Sequence, residues 1–159
     1  MPADSVDERL MMLSIHPQHV QRILDGVKTV ELRRTRPAVE PGQPVAIYAT
    51  SPRAAVVATC RIVQVEVGSP GALWAKVGAA AAIRRQEFDE YYEGVSSAVA
   101  LHLGAVKPLA SAVSLSEMRL SGRFQPPQTW HFLDHARLAQ LFGRHPASAV
   151  LHGLLALPA

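Results

Sequence analysis

The chain has 159 residues, with 16 basic and 13 acidic side chains, 48% hydrophobic and 18% charged, a balance that excludes a disordered polyelectrolyte and fits one folded domain. Its single cysteine, Cys60, excludes an intramolecular disulfide and Cys-rich zinc modules. His, Arg, Gln, Glu or Pro interrupts every apolar run before the roughly 20 residues that a membrane span requires.

Asp4, Asp7 and Glu8 precede the first apolar run, the reverse of a basic signal-peptide start. Residues 1–9 therefore read as a flexible N-terminus of a soluble, cytoplasmic protein with no membrane partner. Leu10 to Ile15 reads as a short buried strand that stops at His16-Pro17. Val20, Ile23 and Leu24 recur at helical spacing between Pro17 and Asp25, with Pro17 suited to the first turn and Gly26 to the cap. From Lys28 to Arg34 the pattern alternates, with Val30 and Leu32 on one face and Thr29, Glu31 and Arg33 on the other. Pro37, Pro41, Gly42 and Pro44 mark a loop. Val45 to Thr50 and Ala54 to Val67 then form a hairpin through Ser51-Pro52-Arg53.

Helical segments follow around Ala72 to Val77 and Arg85 to Tyr92, the second ending at Gly94. Alternation returns over Ser97 to Val106. Leu115 to Arg119 suits one helical turn, and Thr129 to Leu133 a last strand after the Pro126-Pro127 loop. Asp134 to Phe142 reads as a helix, and Ala147 to Leu157 as an apolar tail that packs on the domain or joins a second subunit as a homodimer. Strands in series with short helices and no regular βαβ alternation predict an α+β fold, a small closed or nearly closed mixed or antiparallel β-barrel flanked by short helices.

The chain has no Gly-Lys phosphate loop, no dinucleotide glycine fingerprint and no nucleophile elbow, which removes nucleotide triphosphatases, dinucleotide oxidoreductases and α/β-hydrolases. His16 with His19, and His131 with His135, lack a carboxylate at helical spacing to complete a metal site. No metal and no cofactor are expected, apart from Mg²⁺ if the protein is a nuclease. Cys60 reads as a core thiol, and Phe88, Tyr91 and Tyr92 as anchors of a helix, a tyrosine hydroxyl at the rim being available to a ligand. Residues 22–61 carry an excess of four positive charges, whereas residues 62–110 are slightly acidic, so a phosphate-facing surface would come from the first half.

The informative segment is Gly26-Val27-Lys28-Thr29-Val30-Glu31-Leu32-Arg33. From spacing alone it is either a solvated strand face with surface ion pairs or a set of polar groups for a planar ligand. In the second case Lys and Arg donate to carbonyl or phosphate oxygens while Glu orients both. The pattern Gly26-x-Lys28-x-x-Glu31-x-Arg33 resembles the signature of the ASCH domain, a PUA-like β-barrel family related to RNA-binding modules. The similarity extends through Leu13-Ser14-Ile15-His16-Pro17, Ile47-Tyr48-Ala49-Thr50-Ser51-Pro52, Glu87-Phe88-Asp89-Glu90-Tyr91 and Pro127-Gln128-Thr129-Trp130. It covers residues 10–133 and leaves 134–159 as a C-terminal helix and tail.

The resemblance implies a cleft that joins Lys28, Glu31 and Arg33 with Tyr48, Ser51 and Gln128 as ligand-binding residues, taking RNA or a modified nucleoside-like ligand. It further implies a regulator coupled to transcription or translation, or a ribonuclease. If the protein is an enzyme, Lys28, Glu31 and Tyr48 are the candidate catalytic residues. The family's N4-acetylcytidine amidohydrolases place a threonine nucleophile where this chain has Glu31, and their acidic partner falls within Ala79 to Ala82. Amide hydrolysis is therefore disfavoured relative to RNA cleavage.

Overall fold

The computed structural model describes residues 9–156, so the N-terminal segment lies outside the described residues except for Arg9. Arg9 opens the first strand, β1 (Arg9–Ile15). Pro17 in the first turn starts α1 (Pro17–Leu24), which packs through Val20 and Ile23. Gly26 turns the chain at φ 79°, the left-handed conformation that glycine adopts without steric cost, and delivers it to β2 (Val30–Arg33).

The hairpin β3 (Gln43–Ala49) and β4 (Ala55–Gly68) forms where the β-branched runs predict it. Next come α2 (Pro70–Ala81) and α3 (Arg85–Tyr91), then β5 (Ala98–Ser114). The last elements are the single turn α4 (Leu115–Met118), a 3₁₀ turn over Arg119–Ser121, β6 (Trp130–Asp134), α5 (His135–Phe142) and α6 (Ala147–Ala156).

The strands form one mixed six-stranded sheet in the order β2-β5-β4-β3-β1-β6. Among the described residues only β1 and β3 run parallel; the other neighbours are antiparallel. The expected α+β fold is present, but among the described residues the sheet does not close into a barrel, which corrects that part of the expectation. β2 and β6, four and five residues long, are its two edges and, among the described residues, pair with β5 and β1 alone. Helices cover the faces instead.

β5 is longer than its alternation predicts because Lys107-Pro108 breaks the pattern without ending the strand. Pro108 lies opposite Ala58, within a stretch of the β4–β5 ladder where the register shifts repeatedly. Such bulges accommodate a residue that has no amide proton to donate, and they bend the strands.

Three apolar clusters follow from the strand parity. Met11, Leu13, Ile15, Val45, Ile47 and Ala49 pack on one face with α1 and with Leu101 and Leu103 of β5. Val30 and Leu32 of β2 face the other way, against α2 and α3. Leu10, Met12, Ala46 and Tyr48 meet α5 and α6. Cys60 lies in the first of these clusters, and burial pushes its thiol up to about 12, as a core thiol should be. The C-terminal tail is helical and packs on this same sheet through Ala147, Leu151 and Leu155.

Leu151 is fully buried, whereas Val150 beside it is 50% exposed. Leu151→Ala should cost about 2–5 kcal/mol in urea unfolding, and Val150→Ser less than about 0.5 kcal/mol. Equal effects of the two changes would contradict this packing of α6.

Candidate functional site

The charged face of β2 is not solvated. Val30 and Leu32 turn toward α2 and α3, so strand parity sends Glu31 and Arg33 to the opposite side. There they meet the end of β1, the start of α1 and the loop before β6 in a cleft of about 370 Å³.

Lys28, 3% exposed, sits at its floor. Its Nζ donates to the Ala81 carbonyl at 2.6 Å and lies 3.5 Å from Glu31 Oε1. Arg33 Nη2 donates to Glu31 Oε2 and to the Ser14 carbonyl, both at 2.9 Å. One carboxylate thus joins an ammonium to a guanidinium in a largely dehydrated setting, where charge-assisted hydrogen bonds are strong. Burial lowers the Lys28 pKa, and the attraction of Glu31 partly offsets that effect.

The C-terminus of α2 supplies the other side of the floor. Ala80, Ala81 and Ala82 carbonyls accept from the Thr29 amide at 2.9 Å, Lys28 Nζ at 2.6 Å and Arg22 Nη1 at 3.1 Å. These carbonyls are the unpaired negative end of a helix, and cations there are favourable. In the Ala79 to Ala82 stretch, where the amidohydrolases would have an acid, Lys28 meets a main-chain oxygen.

Gln128 lines the cleft together with His16, His19, Thr50, Glu87 and Tyr91. Three buried polar atoms of this lining have no hydrogen-bond partner among the described residues: His19 Nδ1, Arg33 Nε and Thr50 Oγ1. Unpaired buried polar atoms are rare because each carries a desolvation cost. Burial, followed by the charge of Lys28, lowers the His19 pKa. Tyr91, 37% exposed, donates from its hydroxyl to the Leu32 carbonyl at 3.2 Å and presents an aromatic wall.

Tyr48 and Ser51 are not brought into this cleft. Tyr48 follows Ile47 on β3 and so projects to the opposite face, into the cluster with Leu10, Met12 and Val113. Burial raises its pKa. Ser51 is exposed in the turn after β3, and its neighbour Thr50 lines the cleft instead. His19, Thr50 and Glu87 were not legible as site residues. His19 was visible only as part of an incomplete metal pair, and nothing in the local spacing of Thr50 or Glu87 marks them.

The ASCH domain family model matches residues 13–108. The chain belongs to the ASCH domain family. An "ASCH domain-containing ribonuclease" of Zymomonas mobilis subsp. mobilis is 31% identical over 130 residues, which is 80% of this chain and 87% of that protein. The crystal structure of ASCH from Zymomonas mobilis has a TM-score of 0.78 at 27% identity, covering 87% of this chain and 96% of that one. The N-terminal domain of Staphylothermus marinus McrB, 12% identical with a TM-score of 0.50 over 85% of this chain and 93% of that one, shares the fold alone. Lys28 and Arg33, two residues of the motif that resembles the family's signature, are held here by the buried carboxylate of the third, Glu31.

Two outcomes follow for the site. Glu31→Ala strands two cations and should cost about 3–5 kcal/mol in chemical denaturation. Because the folded state lowers the His19 pKa below 6.5, the unfolded chain binds the additional proton, so His19 contributes stability above that pH and loses it as pH falls. His19→Gln should therefore reduce the loss of stability between about pH 7 and about pH 5 relative to the parent. His131 shifts in the same direction and is present in both proteins, so an unchanged difference would contradict the burial of His19.

Proposed function

We propose that this ASCH domain binds single-stranded RNA at the Lys28–Glu31–Arg33 cleft and cleaves its phosphodiester backbone. The observation that carries the reading is the pair of cations held at the cleft by one carboxylate. A guanidinium anchored through one nitrogen keeps further donors for phosphate oxygens. The ribonuclease relative, similar over 87% of its length, supports RNA as the substrate class.

Tyr91 would stack on an unpaired base and Gln128 would hydrogen-bond to its edge, so that stacking supplies affinity and the amide supplies choice. Lys28 and Arg33 would neutralise charge that grows on the phosphate in the transition state. Glu31 serves as the orienting carboxylate, because both its oxygens already engage cations. That engagement, together with the Ala81 carbonyl at Lys28, counts against amide hydrolysis at this site. Ser51, exposed in the β3–β4 turn, belongs to this reading only through a longer RNA that leaves the cleft along that turn, whereas buried Tyr48 has no part in it.

Binding without turnover is the second reading, and a regulatory role in transcription or translation would rest on it. Fluorescence anisotropy of a short labelled single-stranded RNA separates the two, run with and without Mg²⁺. Binding raises the signal; cleavage then brings it below that of intact RNA. Lys28→Ala should weaken affinity about tenfold or more and reduce its salt dependence. No rise and no cleavage at any salt concentration would overturn the proposal.

A further inference from the structure

His16 and His19 stand at the same cleft. His16 is the N-terminal flanking residue of α1, and its carbonyl accepts the His19 and Val20 amides at 2.9 Å, so one turn of helix fixes the spacing of the two imidazoles. Their ring centroids are 6.5 Å apart and the rings lie at 75°, a separation that admits a phosphoryl group hydrogen-bonded to both. His16 is exposed at the mouth, whereas His19 is half-buried. His19 Nδ1 is buried with no partner among the described residues, so Nε2 is the nitrogen assigned to the reaction. The charged groups around it are Lys28, Glu31, Arg22 and Glu87.

Two imidazoles of unequal exposure beside an ammonium and a guanidinium provide a base, an acid and a charge clamp. Resting on the ribonuclease reading, we infer that His19 and His16 are the catalytic base and acid of an RNA-specific transesterification that leaves a 2′,3′-cyclic phosphate. His19 Nε2 takes the proton of the ribose 2′-hydroxyl, O2′ forms a bond to phosphorus, and the bond from phosphorus to O5′ breaks. His16 gives its proton to the departing O5′. The products are a 2′,3′-cyclic phosphate and a 5′-hydroxyl, and the two imidazoles exchange protons with water to regain their starting states. Lys28 and Arg33 face the non-bridging oxygens. Burial lowers the His19 pKa and so favours its neutral imidazole, the form a base needs.

The test uses the full chain, a short single-stranded RNA and the same sequence carrying 2′-O-methyl groups throughout. The expected results are cleavage of the RNA alone, 5′-ends that a polynucleotide kinase labels without prior phosphatase, and 3′-ends that become phosphatase-sensitive only after acid opens the cyclic ester. His19→Gln and His16→Gln should each slow cleavage by about a hundredfold or more, while anisotropy with the 2′-O-methyl strand shows retained binding. His16 is exposed, so its variant keeps the test open if His19→Gln does not fold. Cleavage of the 2′-O-methyl strand, products ending in 3′-hydroxyl and 5′-phosphate, or full activity in either variant would overturn the histidine mechanism and leave the ribonuclease reading standing. Absence of cleavage in the parent protein would overturn both.

Discussion

Glu31 is the carboxylate on which the site depends. It sits on an edge strand, is 6% exposed, and satisfies Lys28 with one oxygen and Arg33 with the other. A buried charge is tolerated only when it is paired and hydrogen-bonded, and here the pairing runs on into main-chain groups. Lys28 reaches the α2 carbonyl at Ala81, and Arg33 reaches the β1 carbonyl at Ser14. The same bonds that neutralise Glu31 therefore tie β2 to α2 on one side and to β1 on the other.

That arrangement explains how an edge strand of four residues holds functional side chains in place. β2 has a single sheet neighbour, β5. Its outward parity is nevertheless fixed by Val30 and Leu32, which pack with Phe88 and Tyr92, and Tyr92 donates from its hydroxyl to the Arg33 carbonyl at 3.1 Å. A one-residue slip would bring Glu31 into an apolar cluster and Val30 into the cleft, at a large cost in both places. Register and chemistry are thus specified by one set of contacts.

Much of the fold was legible because it rests on local patterns. Pro17 and Gly26 bracket α1, and the β-branched runs around Ser51-Pro52 give the hairpin. The barrel was not, since closure depends on whether two edge strands find each other across the whole chain, and neither the alternation in Val30–Arg33 nor that in Trp130–Asp134 carries that information. Lys28, Glu31 and Arg33 share one cleft because the motif lies on one loop and strand, and Gln128 lines it from the loop before β6. Tyr48 illustrates the limit: the resemblance implied a common site with Ser51, yet the two-residue period of a strand turns it away from the cleft. His19, Thr50 and Glu87 join the cleft from separate elements, which only tertiary structure can align.

The sheet order has a consequence for how the molecule is made. β1 lies between β3, its parallel partner, and β6, which ends at Asp134. During synthesis from the N-terminus the first strand waits for about 120 residues before its second neighbour exists, and α6, which covers Leu10 and Met12, comes later still. Non-local pairing of this kind slows folding and leaves strand edges and apolar surface open to other chains meanwhile. The nascent protein is thus most vulnerable to aggregation through its first strand, on the face that α5 and α6 finally close.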